Sequence, residues 1–196
     1  SRAIRSVYRL IEYGADIDLI IGLDGSPDSV VDVIQKTLKE LPKTDKFRVG
    51  LLKFPKAFEI GEAKNRIVRA ALGTRGRYFT FVDSDDELLP PLVSQYLPEM
   101  IEKDLDIVRP CILSDFLGDY HADDPLLWAA SFSNSSCGMI FNTRIIPKDR
   151  PFFHEAFPCV EDMMTLMRFS LDCIRFCPIA RSPAAILHRE PKRKSV

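Results

Sequence analysis

Apolar positions recur along the chain with two periods, and the periods alternate. Ile4, Val7, Tyr8 and Ile11 fall on one face and predict a helix over residues 3–12. Ile17 to Leu23 is a near-continuous apolar run, the pattern of a parallel strand covered on both faces. Asp24-Gly25-Ser26-Pro27-Asp28-Ser29 then reads as a turn and a helix start. Val30, Val31, Ile34, Leu38 and Leu41 repeat at helical spacing beyond it. Phe47 to Phe54 predicts a second strand. Gly61 precedes a helix carrying Ala63, Ile67, Ala70 and Ala71, which Gly73 can end. Tyr78 to Val82 predicts a third strand, and Pro90-Pro91 opens a helix disturbed by Pro98. Further strands are expected at Ile107 to Leu113, Cys137 to Phe141 and Ala184 to Leu187, with a helix from Val160 to Ile174. Residues 114–135 follow neither period and are expected to fold over a site. Strands alternating with helices predict an α/β fold with a mainly parallel sheet flanked by helices. Such a sheet ordinarily opens with a strand, whereas this chain opens in a helix, so a leading first strand is expected to be missing.

Composition narrows the class. A length of 196 residues fits one domain, 1–196, large enough to bury a core. The 27 basic and 28 acidic residues nearly cancel, which gives no general attraction to nucleic acid or anionic lipid. Five cysteines form no C-x-x-C pair, so neither a disulfide framework nor a zinc ribbon is indicated, and a reducing cytoplasmic setting fits. No signal peptide and no apolar run near 18 residues is present, so no integral membrane segment is expected. The basic stretch Arg189 to Lys194 reads as a solvated end, with peripheral membrane attachment as the alternative.

The strongest chemical signal is Asp83-Ser84-Asp85-Asp86-Glu87, placed directly after the apolar Tyr78 to Val82. Clustered carboxylates repel one another unless a cation or hydrogen-bond donors offset them. Oxygen-only ligands suit Mg²⁺ or Mn²⁺, and ligands of open α/β sheets bind outside the carboxyl ends of strands. An EF-hand is excluded, because its sixth and twelfth positions would be Leu88 and Ser94. A haloacid-dehalogenase phosphatase is disfavoured, because Glu87 stands where that family has Thr or Val. Asp24-Gly25 at a strand end is either a plain turn or a place where a carboxylate meets a base or ribose. Glu161-Asp162 at a helix start is either a dipole-favoured pair or the seat of a general base. His188 beside Arg189 is either structural or a further metal ligand.

Taken in order, these pieces resemble the family 2 glycosyltransferases, which have the GT-A fold. The match runs from about Ile17 to Arg189. Leu23-Asp24-Gly25-Ser26-Pro27-Asp28 is similar to the family's D-D-G-S-x-D, and Gly61-Glu62-Ala63-Lys64-Asn65 to its G-x-x-x-A-R-N. Gly76-Arg77-Tyr78-Phe79-Thr80-Phe81-Val82-Asp83-Ser84-Asp85-Asp86 matches G-x-Y-x-x-F-x-D-x-D-D, with Leu89-Pro90 after it. Glu161-Asp162 matches the later E-D dipeptide. Leu23 replaces the first Asp of D-D-G-S, Lys64 stands in the Arg place, and the family's first strand with its P-x-x-N end is absent.

The resemblance implies a GT-A-like fold of nucleotide-diphospho-sugar transferase type, with a nucleotide-binding half over 1–113 and an acceptor-side half over 114–196. It implies a metal-dependent, inverting transfer of a sugar from a nucleotide-sugar donor, with a lean to UDP, to an acceptor hydroxyl. Asp162 would be the catalytic base. Asp24, Gly25, Lys64 and Asp83 would meet the nucleotide. Asp85 and His188 would hold a divalent cation, Mn²⁺ or Mg²⁺. Glu161 and Trp128 would lie on the acceptor side. The acceptor class is left open: glycan, lipid, protein or another molecule. The alternative is a non-catalytic GT-A-like binding or assembly module, motivated by the missing strand and the altered helix.

Overall fold

A computed structural model describes residues 1–114, 136–155, 164, 165, 168, 169, 175–178 and 182–187. Helix α1 (Arg2–Arg9) buries Ala3, Ile4, Ser6 and Val7, and a 3₁₀ turn at Leu10–Tyr13 ends it. Strand β1 (Ile17–Asp24) and strand β2 (Phe47–Phe54) pair in parallel, from Ile17 opposite Phe47 to Asp24 opposite Phe54. Between them runs α2 (Asp28–Glu40). Pro27 presets its entry, and Asp28 in the first turn suits the helix dipole. Its Ile34 packs with Ile4 and Leu23 in a small core that Leu19, Ile21, Val31 and Leu38 extend. Among the described residues, β1 pairs with β2 alone.

Helix α3 (Ile60–Ala71) follows and packs on β1. Next come β3 (Tyr78–Phe79), β4 (Glu87–Leu88), a π-helical turn at Leu92–Tyr96 and α4 (Leu97–Glu102). Pro98 explains the wide turn. It has no N–H to give, and its ring crowds the carbonyl four residues earlier, so the backbone opens ahead of it. Strands β5 (Ile107–Arg109), β6 (Ile112–Ser114), β7 (Ile140–Asn142), β8 (Phe176–Pro178) and β9 (Ala185–Leu187) complete the order. One sheet runs β3-β7-β5-β8 and another β4-β9-β6. The pairs β5–β8 and β6–β9 are parallel, whereas β3–β7, β5–β7 and β4–β9 are antiparallel.

Three strands differ from their expected bounds. The predicted strand Tyr78 to Val82 keeps its ladder only over Tyr78–Phe79, because the chain then changes partner. Tyr78 and Phe79 pair antiparallel with β7, but Phe81 bridges Cys137 in parallel. The predicted strand Ile107 to Leu113 divides at Pro110, which cannot donate to a ladder. Cys111 instead donates its N–H to the Tyr96 hydroxyl at 3.1 Å, and that hydroxyl donates to the Ser182 carbonyl at 3.0 Å. The strand expected from Cys137 begins at Ile140, because Met139 N–H closes a turn onto the Ser136 carbonyl.

The main core joins α1, the π turn and the sheets through Val7, Leu10, Leu92, Tyr96, Met100, Val108, Ile140 and Leu187. A second core is largely aromatic: Phe141, Phe152, Phe153 and Phe169 are buried, with Phe79 and Phe81 packed against them. Burial of each such ring is worth roughly 1.5–3 kcal/mol. No helix among the described residues is long and apolar enough to cross a membrane.

Candidate functional site

The acidic turn is held at both ends. Upstream, the Phe81 carbonyl accepts the Gly138 N–H at 2.9 Å. Downstream, Leu88 N–H donates to the Ser6 hydroxyl at 3.0 Å and Leu89 N–H to the Ala184 carbonyl at 2.8 Å. Between these anchors Asp86 N–H closes the turn onto the Asp83 carbonyl at 3.1 Å. The three carboxylates therefore separate by depth: Asp83 is exposed, Asp85 half-buried and Asp86 only 5% exposed. Among the described residues no group of three or more potential ligands gathers around one point. The exposed Asp83 and half-buried Asp85 fit a cation that keeps waters and takes its remaining oxygens from a bound phosphate, which is the habit of Mg²⁺.

Behind the turn runs Ser136-Cys137-Gly138. Burial, then the negative charges of Asp86 and Asp83, push the Cys137 thiol well above its usual range, so it stays protonated at neutral pH. Gly138 has φ +74°, and a Cβ there would stand 2.8 Å from Ala185 Cβ. The neighbouring Ser136 hydroxyl accepts from the Lys64 ammonium at 3.2 Å. Lys64 is buried in the first turns of α3, with its Nζ 5.2 Å from the centre of the Phe153 ring. That arrangement holds a cation at the back of an acidic site.

Asp24 ends β1 and accepts the Phe58 N–H at 2.9 Å. Gly25 follows at φ +59°, with the space for a Cβ taken by Ala57 at 2.9 Å. Both residues thus shape the turn and fix the segment after β2. Arg66 lies 4.0 Å over the Phe58 ring, which closes this side.

Sequence reasoning missed the loop at 151–155 and its fastenings. Asn65, 2% exposed, accepts the Phe153 N–H at 2.7 Å and donates to the Phe153 carbonyl at 3.0 Å and to Glu155 Oε1 at 2.9 Å. Arg168 donates to the carbonyls of Pro151 at 3.1 Å and Phe152 at 2.6 Å. Gly61 abuts the same loop, where a Cβ would stand 2.8 Å from the His154 carbonyl. The signals for these partners are the piece Gly61 to Asn65 and Arg168 downstream of Glu161-Asp162, and neither says what its residues touch. The structure thus ties Lys64 to Ser136, next to the Cys137-Gly138 segment that anchors the acidic turn, and places Asp24 and Gly25 at the end of β1 against Ala57 and Phe58. Trp128, Glu161, Asp162 and His188 lie outside the described residues.

The family model for glycosyl transferase family 2 matches residues 1–175. Comparison with curated proteins gives no match. Among solved structures, S. aureus TarS 1-349 in complex with UDP superposes with a TM-score of 0.72 at 14% identity, covering 95% of this chain and 55% of that one. The same protein in complex with UDP-GlcNAc gives 0.73 at 15% identity, covering 97% and 55%. The likeness establishes a GT-A-like fold, and the chain spans little more than half the length of these neighbours.

Proposed function

The chain belongs to glycosyl transferase family 2, and from that premise we propose that it serves a metal-dependent, inverting transfer of a sugar from a UDP-linked donor to an acceptor hydroxyl. The observation that carries this reading is the anchored turn with Asp83 exposed and Asp85 half-buried, backed by the Ser136–Gly138 segment to which the buried Lys64 donates. The neighbours bound to UDP and UDP-GlcNAc support the choice of donor.

In this reading Asp24 accepts a hydrogen bond from the base and Asp83 meets the ribose. Gly25 shapes the turn beside the nucleotide, and the Lys64 ammonium faces the negative diphosphate. Asp85, with His188, would hold a divalent cation, Mn²⁺ or Mg²⁺, whose charge offsets that developing on the leaving diphosphate. Asp162 takes the proton from the acceptor hydroxyl as its oxygen bonds to the anomeric carbon. The bond from that carbon to the diphosphate oxygen breaks in the same displacement, which inverts the centre and needs no covalent nucleophile. Glu161 and Trp128 lie on the acceptor side. The acceptor-side half is assigned to 114–196 and the nucleotide-binding half to 1–113.

Calorimetric titration of UDP into the protein, with Mn²⁺ and then with excess chelator, tests the reading. Metal-dependent binding near micromolar, about −8 kcal/mol, is the expected result. Absence of binding under both conditions, and with GDP, would remove the donor site and leave a non-catalytic module on the same fold.

A further inference from the structure

Phe153 contacts both Lys64 and Phe81, the residue that leads into the acidic turn. Its ring lies under the Lys64 ammonium at 5.2 Å and meets the Phe81 ring edge-on at 5.2 Å. Phe81 stands two residues before Asp83, and its carbonyl anchors the turn through Gly138. Phe153 cannot drift, because Asn65 holds both its N–H and its carbonyl, and Phe152 packs beside it at 5.0 Å. Asn65 in turn follows Lys64 directly on α3. The chain therefore closes a small loop of contacts: Lys64 to Phe153 through the ring, and Phe153 back to Asn65 through two amide hydrogen bonds.

This geometry matters for a buried ammonium. A lysine stem has four rotatable bonds and a charge that prefers water. Holding it at the back of a site needs a hydrogen-bond acceptor and a surface that attracts a cation. Ser136 supplies the first at 3.2 Å, and the ring face of Phe153 the second. We propose that Phe153, latched by Asn65, is a positioning residue that sets the Lys64 ammonium for the donor diphosphate. This inference rests on the donor-site reading above.

A double-mutant cycle in the full chain tests it, read as the UDP dissociation constant in Mn²⁺. Phe153→Leu is expected to weaken UDP about fivefold, the scale of a partly desolvated cation–ring contact. In a Lys64→Met background the same substitution is expected to change the constant less than about twofold. A merely structural role would weaken UDP equally in both backgrounds, which would overturn the proposal. Weakening by Lys64→Met with no effect of Phe153→Leu would overturn it too. If Phe153→Leu does not fold, Asn65→Asp replaces it. Asp loses both donated bonds of the latch and places a second carboxylate beside Glu155, and it is expected to show the same dependence on Lys64. Parent protein that binds no UDP overturns the donor-site reading and this inference together. Parent protein that binds UDP, with Lys64→Met unchanged, overturns the inference and the role of Lys64 while leaving the donor site in place.

Discussion

The Phe58 N–H donates to Asp24 Oδ1 at 2.9 Å, joining the end of β1 to the segment that follows β2. One carboxylate thus has a structural task and, in the proposed function, a recognition task. Substitution separates them. Asp24→Asn keeps an oxygen for Phe58 but replaces one acceptor with a donor, which opposes the N–H edge of uracil. Its unfolding free energy in urea should stay within about 0.5 kcal/mol of the parent, while UDP affinity falls about tenfold. Asp24→Ala loses both tasks and should also lose about 1–2 kcal/mol of stability. Equal UDP affinity in Asp24→Asn and parent would leave Asp24 with the structural task only.

How much of this was legible in the sequence depends on the range of the interaction. The parallel pair β1–β2 and helices α2 and α3 are legible in local periodicity, and their bounds agree closely with it. So is the position of the acidic turn, because five β-forming residues precede it. The strands of the second half were harder. Pro110 and Gly138 divide runs that look continuous in apolar content alone, and the chain changes partner from β7 at Tyr78–Phe79 to Cys137 at Phe81. The contacts of Lys64 with Ser136, and of Asn65 with Phe153, span 72 and 88 residues and leave no periodic trace. A local motif shows that a side chain is special without showing what it meets.

Gly138 is expected to be the least replaceable residue behind the acidic turn. Its φ of +74° disfavours any L side chain, and its missing Cβ makes room for Ala185. Gly138→Ala should destabilise by about 2 kcal/mol or more, through backbone strain and overpacking together. Adding Ala185→Gly relieves only the contact, so the double variant should recover part of the loss. Full recovery would mean that the backbone conformation costs nothing, contrary to the argument. Urea unfolding of the two single variants and the double variant decides the matter.

Acid stability should depend on Asp104. Hydrogen bonds from Arg144 and Arg175, whose Nη1 atoms each lie 2.6 Å from it, hold its carboxyl below the usual carboxylate range. A lowered folded pKa means that the unfolded chain binds the proton more readily. The stabilisation is therefore present above the unfolded value, about 3.9, and is lost as the pH falls through the folded value. Urea unfolding between about pH 6 and about pH 3 should show a shallower acid loss in Asp104→Asn than in the parent. Because Asp104 is partly open to solvent, the difference should shrink in high salt. Parallel curves at low salt would show that this arginine cluster contributes nothing to acid stability.

The two proposed acidic functions should separate in one pair of variants. Asp85→Ala removes the proposed oxygen ligand from the turn, where Asp83 is exposed and Asp85 half-buried. UDP binding to it should lose its response to Mn²⁺, and sugar transfer should fall with it. Asp162→Asn replaces the carboxylate that, in the proposed function, takes the acceptor proton. It should bind UDP with the parent's affinity and the parent's metal dependence, while turnover falls by about two or more decades. Isothermal titration gives the first quantity and release of UDP in the presence of acceptor the second. Parent-like turnover in Asp162→Asn would assign the base to another residue. Metal-stimulated UDP binding in Asp85→Ala would move the cation away from this turn.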